Sequence, residues 1–133
     1  MGEVTFSDLL DEVTRSGDRF GHRQHLHLTW LAVRRYDPAA AVALVSEGIR
    51  QTARYAGVPQ KYNETVSRAW VEAVAYHVTQ RPDLSDFDDF VAAFPGLLDK
   101  RLLTTHYRSS TLAGAAARRA FVAPDLVPFP WSH

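Results

Sequence analysis

At 133 residues and 14.9 kDa the chain is long enough for one domain with its own core and too short for two comfortable ones. Apolar residues make up 46% and charged residues 23%, which is ordinary globular composition and argues against disorder. Lysine plus arginine and aspartate plus glutamate number 15 each, so no surplus charge tracks phosphates, and nucleic acid and anionic membrane are set aside as partners. Cysteine is absent, which removes disulfides, thiolate zinc sites and cysteine nucleophiles together.

The opening stretch MGEVTFSDLLDE is acidic and lacks the basic and apolar regions of a leader peptide. No apolar run approaches the ~20 residues that span a bilayer, so the expected location is cytoplasmic. The first helix is expected over about Phe6 to Thr14, where Phe6, Leu9, Leu10 and Val13 form a one-sided stripe. Thr5 and Asp8 make a capping-box-like start, and Ser16-Gly17 a stop. The stretch FGHRQHLHLTWLAVRRY, residues 20–36, holds three of the six histidines and a stripe long enough for a buried helix at about His22 to Tyr36. Asp37-Pro38 restarts the chain as N-cap and first helical residue, and the next helix runs to about Tyr55 with Val42, Val45 and Ile49 inward, ending at Gly57. With almost no linker between them, these two helices are expected to be antiparallel neighbours.

Val58-Pro59 breaks the chain before a helix over about Glu64 to Gln80, whose stripe is Val66, Trp70, Ala73, Val74 and His77 and which Pro82 ends. Ser85 is the expected cap of a short helix that turns Phe87, Phe90, Val91 and Phe94 inward. Shorter helical pieces are expected around Leu97 to Leu103 and Ser110 to Arg119. Pro124, Pro128 and Pro130 make the last segment extended, with Phe129 and Trp131 as its anchors on the bundle. No period-2 strand pattern and no internal repeat occurs. The expected fold is all-α: a compact single-domain bundle of about five to seven helices over 1–133, with a Pro-rich tail (about 121–133) packed on it.

His22 and His25 lie three apart and share a helix face, so they can bind one metal or divide acid and base roles. Glu64 sits at a helix start, where the dipole keeps a carboxylate ionised. His106-Tyr107 falls in a break between short helices. His22, His25, Glu64 and His106 together are a candidate metal set for a divalent cation. Packing or capping roles for the histidines stand beside it, since HxxH is a short pattern and no HExxH or Glu-x-x-His occurs. His77 lies thirteen residues past Glu64 on the same helix, about 20 Å away, and reads as a core histidine with one satisfied hydrogen bond. His27 reads as a solvent or groove residue, and His133 has no evident role. Asp83, Asp86, Asp88 and Asp89 read as solvated helix-start charges. Arg34-Arg35 and Arg118-Arg119 are short basic pairs that usually make surface salt bridges, with Arg118 able to hold an acidic ligand or Asp125.

The blocks HRQHLHLTWL at 22–31, KYNET at 61–65, HY at 106–107 and ARRAFVAPDLVPFP at 117–130 resemble those of a family of small bacterial helical proteins, HRDHLRxAW, KYHET, HYS and ARxxFVxPDLxPLP. Some of these proteins occur in enediyne (calicheamicin-type) natural-product gene clusters of actinomycetes. The similarity spans most of the chain but brings no activity with it, so it implies a shared fold and a shared site. His22, Arg23, His25, Lys61, Tyr62, Glu64, Thr65, His106, Tyr107, Arg118, Pro124 and Asp125 match the blocks. Gln24 stands where an acidic residue is common, and Asn63 where the block has histidine. If that histidine is a ligand, an amide in its place weakens metal binding.

Three functions are compatible with these residues. The first is a small-molecule binding or accessory protein of bacterial secondary metabolism, its polar pocket lined by His22, His25, Tyr62, Glu64, His106, Tyr107 and Arg118 with tryptophan and phenylalanine walls. The second is an enzyme or metalloprotein using the same His/Glu cluster. The third is an interaction module in which the Pro-rich tail docks on a partner or on a second copy of the chain.

Overall fold

A computed structural model describes residues 5–15 and 21–131 of the chain. Seven α-helices and three short 3-10 turns account for the described secondary structure, and no strand occurs among these residues. The helices are α1 (Phe6–Val13), α2 (His22–Arg35), α3 (Pro38–Tyr55), α4 (Glu64–Gln80), α5 (Phe87–Ala93), α6 (Ser109–Ala113) and α7 (Ala115–Arg119). The fold is an all-α bundle, and no described helix is long and apolar enough to cross a membrane.

Local chemistry sets most helix starts. Thr5 Oγ1 accepts from the Asp8 amide while the Asp8 carboxylate accepts from the Thr5 amide, the reciprocal pair that caps α1. Asp37 accepts from the Ala40 amide and Pro38 opens α3. At the end of α3 the chain turns through Gly57 at φ 76°, a conformation that disfavours any side chain. Asn63 accepts from the Val66 amide to cap α4. The cap of α5 is Asp86, not the expected Ser85: its carboxylate reaches the amides of both Asp88 and Asp89, two donors that a hydroxyl one residue earlier does not reach. The helical piece expected over Ser110 to Arg119 is two helices, because Gly114 leaves the helical region at ψ 158° and caps the second. The expected stop at Ser16-Gly17, and His133, lie outside the described residues.

α4 is the central element and packs against α2, α3 and α7. Its burial therefore extends well beyond one stripe, taking in Thr65, Ser67, Ala69, Trp70, Val71, Ala73, Val74 and Ala75. On one side Trp70, Ala73 and Val74 meet Leu26 and Trp30 of α2, Phe87, Phe90 and Val91 of α5, and Tyr107 and Phe129. On the other side Val71 joins Leu28 and Ala32 of α2, Ala41 and Val45 of α3, and Leu9 and Val13 of α1. The small residues Ala32 of α2 and Ala41 of α3 sit in this second cluster, and Gly48 of α3 lies under Phe6 of α1. A Cβ on Gly48 would lie 2.1 Å from the Phe6 ring. The tail crosses the bundle as an extended strap: Phe129 is 2% exposed, and Trp131 packs beside it with its indole nitrogen donating to Glu72.

Candidate functional site

The seven candidate residues fall in three places. The first is the start of α2. There His22 Nε2 donates to the Leu97 carbonyl at 2.9 Å, and its ring stands edge-on to Trp70 at 4.7 Å. A carbonyl only accepts, so this bond fixes His22 with its proton on Nε2. His25 is partly buried one turn on, and burial pushes its imidazole down to about 4, with repulsion from His22 adding to the effect. It is a neutral ring at physiological pH. Gln24 accepts from the Gly21 amide at 3.1 Å, as an acidic residue at this third helical position also does. The departure at Gln24 thus preserves a capping function.

The second place lies beneath the tail. His106 Nδ1 donates to the Val127 carbonyl at 2.7 Å, and its backbone carbonyl accepts from the Leu126 amide. Tyr107, fully buried, donates its hydroxyl to the Val122 carbonyl at 2.6 Å, and burial pushes the phenol up to about 12. Both side chains bind the strap to the bundle. Asp125 accepts from the Arg108 amide and the Thr111 hydroxyl, so its described partners do not include Arg118.

His22, His25, Glu64 and His106 do not gather into one group. Among the described residues no cluster of three or more histidine, aspartate or glutamate side chains is arranged to hold a metal ion. The physical reason is visible at each position: two of the imidazoles are engaged by backbone carbonyls of other segments, and Glu64 is engaged by Tyr62 and Arg50. His77 donates Nδ1 to Ala73 one turn back at 2.7 Å, and its ring meets Phe94 edge-on. His27 stacks on Phe87 at 4.4 Å and lines a shallow groove with Arg23, whose guanidinium pairs with Asp88.

The third place brings Tyr62 and Arg118 to one cleft, with Glu64 bonded to Tyr62 behind it. A cleft of about 550 Å³ opens between α3, the turn over residues 59–62 and α7, lined by Arg50, Arg54, Pro59, Gln60, Tyr62, Ala115, Arg118 and Arg119. Arg50 and Arg54 lie four apart and so share a face of α3. The cleft floor carries Tyr62 and Arg50, both bonded to Glu64 behind the lining. Tyr62 donates to Glu64 Oε1 at 2.5 Å, Arg50 reaches the same oxygen at 3.3 Å, and Arg50 also pairs with Glu47 while lying over the Tyr62 ring. Burial, then the bond to Glu64, raises the Tyr62 phenol above its ordinary range, so it stays protonated and donating. Behind it Ser46 and Ser67 share a buried hydrogen bond.

α7 is held against this floor by Thr65, which is fully buried. Its hydroxyl donates to the Ala120 carbonyl and accepts from the Val122 amide. Asn63 adds a second tie by donating to the Leu112 carbonyl at 2.7 Å. That double role, cap of α4 and link to α6, accounts for an amide at this position. Arg50 is compensated by Glu47 and Glu64, whereas no described carboxylate lies within ion-pair distance of Arg54, Arg118 or Arg119. Arg119 instead reaches the Ala115 carbonyl in its own short helix. Among the cleft residues, sequence reading singles out Tyr62 and Arg118 but misses Arg50, Arg54, Gln60 and Arg119 as a set. The i, i+4 pair on α3 was the available signal. No family model, no curated protein and no solved structure matches the chain.

Proposed function

We propose that the protein binds a small anionic organic molecule in the arginine-lined cleft. The observation that carries this reading is the charge pattern: three guanidiniums without a described carboxylate partner face one cleft in a chain whose formal net charge is zero. A guanidinium presents its donors as a planar fork that matches a carboxylate or phosphate. The cleft volume falls within the ~300–1,000 Å³ of small-molecule sites. The Tyr62–Glu64–Arg50 set keeps the floor rigid, and Pro59 and Ala115 supply apolar wall. An accessory role beside a natural-product pathway is the setting that the resemblance implies for such a binding protein.

The test is a titration of the intact protein at low ionic strength with citrate and with inorganic phosphate, followed by backbone amide shifts, with glycerol as neutral control. Saturable shifts at Arg54, Tyr62, Ala115 and Arg118 are expected. They should weaken about tenfold when Arg118→Gln removes one charge-assisted pair. Shifts confined to other surfaces, or a titration indifferent to Arg118, would overturn the reading.

A further inference from the structure

We infer that the ligand of this cleft is an organic phosphate monoester with a ring or other flat apolar part, an inference that rests on the anion-binding reading above. Three features point to it.

The first is the balance of donors and acceptors. The polar groups lining the cleft are four guanidiniums, the Gln60 amide and Tyr62. Tyr62 donates its hydroxyl hydrogen bond to Glu64, and Glu64 itself is not part of the lining. Arginine has donors and no acceptor. The amide of Gln60 is thus the main side-chain acceptor that a ligand meets, and a ligand matched to this wall is rich in acceptors and poor in donors. A phosphate monoester offers three terminal oxygens that accept and carries close to two negative charges near neutral pH.

The second is charge. Arg54, Arg118 and Arg119 have no described carboxylate partner, while Arg50 already has two. A monocarboxylate leaves most of that positive charge uncompensated, whereas a phosphate dianion offsets two of the three. The third is size and shape. A bare phosphate occupies only a small part of 550 Å³, and the wall beyond the arginines and Gln60 is Pro59, Ala115 and Tyr62. These are flat or small apolar surfaces, suited to a ring and without hydrogen-bonding demands.

The experiment is calorimetry on the intact chain with four probes of graded chemistry: phenyl phosphate, inorganic phosphate, benzoate and phenol. The expected order places phenyl phosphate at least tenfold tighter than either inorganic phosphate or benzoate, with phenol not binding. Arg118→Gln and Arg119→Gln, both at exposed positions, are each expected to weaken phenyl phosphate about tenfold, with circular dichroism confirming an unchanged fold. Ala115→Glu, also exposed and at the start of α7, is expected to abolish binding by placing a carboxylate in the wall. Comparable affinity for benzoate, phosphate and phenyl phosphate would overturn the ester assignment and leave the anion-binding reading standing. Binding of no anion at all would overturn both. Phenyl phosphate binding that survives all three substitutions would place the ester elsewhere on the molecule and overturn the assignment to this cleft.

Discussion

The imidazole of His25 sets a measurable pH response. Its folded value near 4 lies below the ordinary value of 6.5, with burial as the main cause and His22 as the second. Above pH 6.5 the ring is neutral folded or unfolded and contributes no pH dependence. As pH falls from 6.5 to 4 the unfolded chain takes up a proton that the folded chain refuses, so stability falls, by about 3 kcal/mol in total. Below about 4 both states are protonated and the loss is complete. A ring-proton shift titration is therefore expected to place the His25 midpoint near 4. The drop in urea midpoint between pH 7 and pH 4 should shrink in His25→Gln. A His25 midpoint near 6.5, or an equal acid drop in both proteins, would show that the ring is solvated. The histidine pair was conspicuous in the sequence because HxxH places two rings on one face. What the sequence does not hold is the carbonyl of Leu97, 75 residues away, which accepts the hydrogen bond of His22 and makes that ring part of the packing.

Elements whose ends are written in adjacent residues were legible. α4 spans Glu64–Gln80 as expected because Asn63 caps it and Pro82 follows it; α3 begins at Pro38 because Asp37 and Pro38 act locally. The cleft was not legible, since it joins residues 50–62 to residues 115–119 through contacts of α3 with the following turn and of α4 with α7. Two substitutions probe such contacts. In an open helix, Gly48→Ala would stabilise by about 1 kcal/mol. Here the new methyl would lie 2.1 Å from the Phe6 ring, so the ring or α1 with it must shift, and a net loss of about 1–3 kcal/mol is expected. Thermal unfolding of Gly48→Ala, alone and combined with Phe6→Leu, checks this: the smaller side chain should recover part of the loss, and a Gly48→Ala protein more stable than the parent would refute the close contact. Thr65→Val keeps the shape but removes one acceptor and one donor from the Val122 amide and the Ala120 carbonyl. A cost of about 1–3 kcal/mol is expected, with Thr65→Ser near the parent. Equal denaturation midpoints for valine and serine would show that the hydroxyl carries no such role.

At the scale of the whole molecule, the strap decides whether the C-terminal third folds with the bundle or beside it. Its backbone is tied at Val122, Leu126 and Val127, all to the turn that carries His106 and Tyr107 or to α4. Phe129 is the buried residue of the strap and belongs to the same cluster as Trp30, Trp70 and Phe90. It lies 4.7 Å from the His106 ring and stacks on Trp131 at the same separation. Removing it therefore opens the large cluster directly rather than fraying an end. Phe129→Ala is expected to cost about 3–5 kcal/mol, a large share of the ~5–15 kcal/mol of a domain this size, while Phe129→Leu costs far less. Because His106 and Tyr107 lose their cover together, the unfolding curve should stay a single transition, shifted to lower urea. Amide exchange at Leu126 and at core positions of α4, such as Val74, should accelerate in parallel. A strap that was only an appendage would behave differently: the amide of Leu126 would exchange faster while Val74 kept its protection and the urea midpoint stayed in place. That outcome would detach the tail from the cooperative unit. It would also remove the support that α7, and with it Arg118 and Arg119, receives from the segment that follows them.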